Sequence, residues 1–305
     1  MWFKQTQLFQ LKEAIRYLPK DFDEKFQAYP YQECLPSMPY SSGWVSPLDE
    51  EDAPLVLGIN GYMMLCLQIE EKILPAIVIR QELVKQIKKI ELQENRRVGH
   101  DEKLSLKDDV VMTLLPYAFS KLTKVYAYLD TRNQWLVLAT ANARKVEQFL
   151  TAFKKTLGDI INPFPISQLA SMMTAWAKHH NYSSSFSIGK ACMMQDANQQ
   201  GRVIRCKEQD LRASNIQSFI QDGCEIKQLA LNWQDRIDFT LLDNFTLQAI
   251  RFGDEIIAQI KEVEAGTKLQ QFNADFLIMT ESFTQLFTEL LAMLNQPANV
   301  VSLAS

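Results

Sequence analysis

Short stretches of alternating apolar and polar residues run through the chain, and they predict β-strands. Residues 2–11 alternate in this way, and the stretches 55–59 and 63–69 flank Asn60-Gly61, a strong hairpin signal. Eight further strands are predicted at residues 43–47, 122–129, 134–140, 186–188, 203–206, 224–233, 237–242 and 247–252. Turn residues separate most neighbouring stretches, which favours antiparallel pairing.

Other stretches place apolar residues every third or fourth position, which predicts amphipathic helices. One is a helix that Asn142 or a neighbour caps and that runs to Leu157. The remaining helices are predicted at residues 12–29 with an interruption at Pro19, 77–94, 105–114, 167–179, 214–221, 254–264 and 273–294. The predicted fold class is therefore α+β, with antiparallel sheets and segregated helices.

The helices at 77–94 and 105–114 lie between strand-rich regions and predict a projecting helical hairpin. Gly99 is expected to end the first helix, and Ser105 with Asp108 resembles the start of the second. Lysine and arginine occupy the faces of the first helix that apolar residues leave open, so we predict a basic hairpin. The predicted regions are a central α+β region (1–75 with 117–162), a helical tip subdomain (76–116) and a C-terminal α+β base region (163–305).

Charge is unevenly distributed in this chain of 305 residues and net charge −4. Residues 80–155 contain fifteen Lys and Arg against nine Asp and Glu, a net of +6, so the remainder carries −10. A binding field depends on where charge lies in space, so a basic segment can bind nucleic acid within an acidic protein. The alternative that this pattern leaves open is a solvated helix face.

The five cysteines are scattered and odd in number, which favours reduced thiols and a cytoplasmic protein. No run of eighteen or more apolar residues predicts a membrane span, and the first residues do not resemble a secretory signal. We expect no membrane association.

Motifs for catalysis are missing from the sequence. His100, His179 and His180 lack metal-ligand spacing, and the ten glycines form no phosphate-binding loop or nucleophile elbow. The acidic pairs are sequence neighbours, which point apart on a helix or strand. We therefore expect no metal, no cofactor and no enzymatic activity, with a hydrolase lacking these motifs as the open alternative.

Several colinear segments resemble the bacterial recombination-associated protein RdgC family, and together they span nearly the whole chain. They are Trp2–Lys4, Gly43–Val45, Glu70–Pro75, Ser105–Asp108, Leu114–Lys121, Val203–Leu211, Leu229–Ile237 and Phe272–Thr280. The resemblance implies a horseshoe-shaped subunit in a ring-shaped homodimer that encloses double-stranded DNA without sequence preference. It further implies a nucleoid-associated protein that restrains RecA-dependent recombination.

The resemblance also implies which residues contact DNA and which form the dimer interface. Lys207 and Gln209 suit phosphate contact, whereas Glu208 and Tyr117 stand where the family pattern has basic residues and so reduce the charge there. Tyr117 and Phe119 are the expected dimer-interface residues, although Phe119 alone would be interpreted as a core aromatic. The full expected DNA-binding set is Arg80, Lys85, Lys88, Lys89, Arg96, Arg97, Lys121, Lys124, Lys207 and Gln209.

A second function class is left open by the sequence. The exposed methionine and aromatic content is compatible with a protein-interaction module that acts on a recombinase without DNA. A pull-down that survives nuclease treatment would favour that class.

Overall fold

One antiparallel sheet organises the chain. A computed structural model describes residues 2–14, 19–48, 50, 53–164, 168–180, 182–196, 201–261 and 267–295. The strands within these ranges are β1 (Thr6–Leu11), β2 (Tyr40–Val45), β3 (Val56–Ile59), β4 (Tyr62–Lys72), β5 (Ser120–Asp130), β6 (Trp135–Leu138), β7 (Ile161–Pro163), β8 (Phe186–Asp196), β9 (Val203–Cys206), β10 (Cys224–Trp233), β11 (Ile237–Leu242) and β12 (Thr246–Phe252). Their order is β2-β4-β5-β6-β1-β12-β11-β10-β8-β9, with β3 paired to β4 and β7 paired to β1. The predicted α+β class is confirmed, but the strands form one sheet instead of several.

Helices pack on both faces of this sheet. Those of the described residues are α1 (Pro19–Phe26), α2 (Ala76–Glu94), α3 (His100–Leu114), α4 (Ala143–Leu157), α5 (Leu169–His179), α6 (Ser214–Gln221), α7 (Asp254–Lys261) and α8 (Lys268–Asn295). On one face, α1 and α4 bury aromatic rings around Trp44. On the other face, α8 buries Phe276, Phe283 and Phe287 against both the first and the last strands. Two cores therefore share one sheet.

Strand β1 joins the two halves of the sheet. Leu8 lies opposite Val137 of β6, and Thr6 lies opposite Leu247 of β12. Successive side chains of a strand point to opposite faces, so Leu8 enters the α8 core while Phe9 enters the α1–α4 core.

The helical hairpin (residues 76–116) is present, but its connection differs from the prediction. Asn95 ends α2 in the left-handed conformation (φ 50°, ψ 37°), and Gly99 instead precedes the first turn of α3. Helix α3 begins at His100 and not near Ser105, because the Glu102 carboxylate accepts a hydrogen bond from the Gly99 amide (3.4 Å). Glycine at this position therefore starts a helix.

Three further differences from the sequence prediction have a local explanation. Pro19 begins α1, where its missing amide hydrogen costs nothing, and part of the predicted helix at 12–29 lies outside the described residues. Strand β8 continues well past Ile188, because Gly189 fits a close approach in which an added Cβ would lie 3.0 Å from that of Ala230. The short strand β7 was not predicted, and it pairs with the end of β1 because β12 covers only Thr6 and Gln7 on that edge.

Strands β4 and β5 are paired along eleven residues each and form a ladder that leads to the helical hairpin. The ladder ends at Lys72 opposite Ser120, and the Ile73 amide then donates to the Phe119 carbonyl (2.7 Å). Beneath this end, the buried Glu70 carboxylate accepts from the Tyr31 hydroxyl (2.6 Å) and the Cys34 amide (2.7 Å). Hydrogen bonds from Ser120, Tyr31 and Cys34 lower the pKa of Glu70 to about 2.

No helix within the described ranges is long and apolar enough to cross a membrane. All five cysteines are buried thiols, and Cys192 lies directly opposite Cys206 without a disulfide.

We predict that Glu70 makes the free energy of unfolding depend on pH in the acidic range below the ordinary pKa of a glutamate. Its pKa is lowered on folding, so its contribution is complete above pH 4.5 and disappears as the pH falls toward about 2. Glu70→Gln should lower the free energy of unfolding by roughly 1–3 kcal/mol at neutral pH, because charged hydrogen bonds are weakened. Denaturant titrations across this pH range measure the difference, which should shrink with acid. The exposed neighbour Glu33 supplies the control variant Glu33→Gln, and an equal loss there would contradict the assignment.

Candidate nucleic-acid interface

On α2 and the turn that follows it, four cations face solvent without a carboxylate in ion-pairing range among the described residues. They are Arg80, Lys88, Lys89 and Arg97. Lys85 is also exposed, but its ammonium lies 3.0 Å from the Glu82 carboxylate. The α2 cations cover about half of the helix circumference, since each residue turns the helix by about 100°. They therefore form a broad charged surface instead of a narrow stripe.

Arg96 has a structural role in the hairpin connection. Its guanidinium donates to both oxygens of Glu102 (2.6 and 2.7 Å) and to Glu94 (2.6 Å). These contacts raise the pKa of Arg96 and lower that of Glu102, because each charge stabilises the other. Arg96 thus ties the end of α2 to the start of α3, and its charge is compensated locally.

The excess positive charge lies mostly outside the hairpin. Residues 76–116 contain eight Lys and Arg against seven Asp and Glu, a net of +1. Residues 117–155 contain seven against two, a net of +5. The +6 of the sequence window therefore belongs mainly to β5, the following turn and α4, and only the α2 side of the hairpin is basic.

Lys121 and Lys124 of β5 lie on opposite faces of the sheet. Lys121 is opposite Glu71 and shares a face with the buried Val125, which packs toward α4. Lys124 is opposite Gln68 and shares the other face with Tyr126. One flat DNA-binding surface therefore cannot include both lysines.

Lys207 and Gln209 follow β9, the last strand on the far side of the sheet. Glu208 between them has a left-handed backbone (φ 52°), and the Gln209 amide donates to the Lys190 carbonyl (3.0 Å), so β8 holds the turn. Seven strand spacings separate β9 from β5, which corresponds to about 34 Å along the sheet at about 4.8 Å per spacing. The expected contacts therefore form two groups at distant ends of one sheet.

Tyr117 and Phe119 are surface residues, each 85% exposed. The core interpretation of Phe119 is therefore wrong for the isolated chain. Of the seventeen exposed large apolar side chains in the described part of the chain, ten lie between Ile73 and Leu122. This concentration at the hairpin and its base is typical of a surface that another molecule covers.

Within the described ranges, no three His, Cys, Asp or Glu side chains are grouped so that they could hold a metal ion. The comparison with known sequences then decides the family. The family described as "Putative exonuclease, RdgC" matches residues 1–297. The chain belongs to the RdgC family. Its role is accordingly in the recombination-associated class.

Curated RdgC relatives match over nearly their full length. The chain is 31% identical over 300 residues to proteins named recombination-associated protein RdgC from Yersinia enterocolitica and Yersinia pestis. Each alignment covers 98% of this chain and 99% of the relative. The RdgC relatives are thus named for recombination, whereas the family description names an exonuclease.

A second group of cations in this RdgC chain was not predicted from its sequence. Arg144, Lys154 and Lys155 are exposed on α4, and Lys155 lies 4.6 Å from the ring centre of Tyr29. The helical spacing at 143–157 could have identified the charged face of α4. The aromatic residues beside these cations lie more than a hundred positions earlier in the sequence, so only the fold shows that they are neighbours.

We predict that Arg96→Ala loosens the hairpin connection locally. Amide hydrogen exchange across residues 95–102 should become faster, because three charge-assisted hydrogen bonds are lost. The midpoint of global unfolding should stay unchanged, since the pairs are on the surface. Exchange measured by mass spectrometry tests this, with Arg97→Ala as the matched control. Equal acceleration in both variants would argue against a specific role for Arg96.

Proposed function

We propose that this protein binds double-stranded DNA without sequence preference, as a homodimeric ring that restrains RecA-dependent recombination in the nucleoid. The observation that carries the proposal is that the exposed hairpin cations and the Lys207 turn lie on opposite sides of β1 in one sheet. Lysine and arginine neutralise phosphates and release counterions, which gives affinity without base readout. Phosphate contacts on parts of the chain that are separated by seven strand spacings suit a duplex held from several sides.

The exposed apolar residues at the hairpin support a homodimer. Tyr117 and Phe119 would bury their rings against the same residues of a second copy, as a two-fold interface requires. In this proposal the regions 1–75 with 117–162, 76–116 and 163–305 act as centre, tip and base of each subunit. A second contact at the base would close the ring, and the acidic remainder of the chain would face outward.

We expect duplex affinity to fall steeply with salt and with hairpin charge. If roughly six or more phosphates are neutralised, affinity should drop on the order of a thousandfold between about 50 and 200 mM salt. The double variant Lys88→Glu with Lys89→Glu should weaken binding at low salt and flatten this dependence. Lys178→Glu on α5 is the control for one charge reversal away from the hairpin, and Lys88→Glu alone is its charge-matched counterpart. Fluorescence anisotropy with two unrelated duplex sequences provides the readout, and salt-independent or sequence-dependent binding would contradict the proposal.

The same substrates distinguish the other functions. End-labelled duplex incubated with Mg²⁺ should remain intact, whereas progressive shortening would support the exonuclease activity that the family description names. Capture of a recombinase that survives nuclease treatment and is unaffected by the Lys88 and Lys89 variants would support an interaction module without DNA.

We also predict that Phe119→Ala weakens self-association more than folding. The side chain is 85% exposed, so its removal leaves no cavity and should change the free energy of unfolding by only about 0.5 kcal/mol. Sedimentation velocity over a dilution series should show that the variant dimer begins to dissociate at a higher protein concentration than the unsubstituted dimer does. Val203→Ala, at an exposed site on β9 at the other end of the sheet, is the control. Loss of the thermal transition in Phe119→Ala would make Phe119 a folding residue instead.

A further inference from the structure

A surface cleft of about 330 Å³ lies between α4 and the β2 edge of the sheet. Its floor is Trp44, which is almost fully buried and whose indole nitrogen donates to Thr156 (2.8 Å). Tyr40, Ser42 and Trp44 alternate along β2 and therefore share the face that α4 covers. The cleft is thus held by a regular strand and a regular helix, which gives it a defined shape.

Aromatic rings and cations line opposite sides of this cleft. Tyr29 and Tyr40 are exposed on the strand side, at 37% and 48%. Arg144 and Lys155 are exposed on the helix side, eleven residues apart on one face of α4. At about 1.5 Å per residue this spacing is about 16 Å, longer than one nucleotide.

The acidic groups nearby are partly compensated. Glu71 forms an ion pair with Arg144 (3.1 Å) and accepts a hydrogen bond from Gln148 (3.3 Å), and it lies opposite Lys121 on β5. Glu147 is the acidic residue of α4, against four Lys and Arg, so the helix carries a net charge of +3. Glu71 therefore orients Arg144 without making the cleft acidic.

Exposed aromatic rings beside a cationic wall are the arrangement that binds unpaired nucleic acid. Bases stack on the rings while phosphates contact lysine and arginine, and every base has a face that can stack. A duplex keeps its bases stacked inside the helix, so the tyrosines would contribute little to binding it. An acidic peptide would use the cations and leave the rings unused.

We infer that this cleft is a binding site for single-stranded DNA, separate from the surfaces proposed to hold duplex. Tyr29 and Tyr40 stack on bases, and Arg144 and Lys155 contact the phosphates. The site extends the proposed DNA-binding function, but its residues do not overlap with the hairpin cations or with Lys207 and Gln209.

The test compares a labelled oligonucleotide of about fifteen thymidines with a duplex of similar length, using the full chain in anisotropy titrations. Tyr29→Ala with Tyr40→Ala, and separately Lys155→Glu, should weaken single-strand binding about tenfold or more. Duplex affinity should stay within about twofold, because these variants leave every residue of the proposed duplex-binding set unchanged. Tyr29→Phe with Tyr40→Phe keeps the rings and should retain single-strand affinity, and Lys178→Glu controls for charge.

Several outcomes would overturn the inference. Unchanged single-strand affinity in the cleft variants, or an equal loss of single-strand and duplex affinity, would remove the separate site. Equal binding of an abasic oligonucleotide, or displacement by polyglutamate as effective as by thymidine oligonucleotide, would show that charge alone is responsible. The Lys88→Glu and Lys89→Glu variant tests the duplex surface independently, so failure of one proposal is distinguishable from failure of the other.

Discussion

The pairing of β1 on both of its edges is the constraint on which the rest of the molecule depends. This six-residue strand pairs with β6 and with β12, and it is the link between the strands that lead to the hairpin and those that end at β9. Leu8 and Phe9 enter different cores, so a slip of one residue would exchange them and expose apolar surface on both faces. Register at β1 therefore fixes the distance between the two ends of the sheet.

That rigidity explains how an acidic chain can present cationic binding surfaces. Charges that are scattered in sequence act together only where the fold holds them in place. The continuous sheet keeps the hairpin cations and the Lys207 turn apart, while α4 gathers a third group beside Trp44. The net charge of the whole chain does not reveal these local groups. Even the net charge of +6 for residues 80–155 combines two different surfaces.

Features set by local chemistry could be predicted from the sequence, and those set by distant partners could not. The Asn60-Gly61 hairpin and the helix from Asn142 to Leu157 follow from turn and capping residues, and both are present. The prediction that Gly99 ends the first hairpin helix was wrong, because asparagine can also end a helix and the fold selects Asn95. The predicted strand at 186–188 was too short. Nothing in the sequence around Gly189 indicates that Ala230 approaches it closely in the fold. The candidate site divides in the same way: the exposed hairpin cations were identified from the sequence, whereas the fold was needed to show that Lys121 lies on the α4 face and Lys124 on the α8 face.

The register also relates the single-strand cleft to the hairpin. Tyr40, Glu71 and Lys121 lie in one cross-strand row on the face that α4 covers, so this face is continuous from the cleft toward the start of β5. Glu71 links the row to α4 through Arg144. Recombination substrates contain duplex beside unpaired strand, and a protein with both surfaces on one rigid sheet could hold the junction between them. The proposed restraint of strand exchange would then need no catalytic group, because holding both partners in place would oppose their rearrangement.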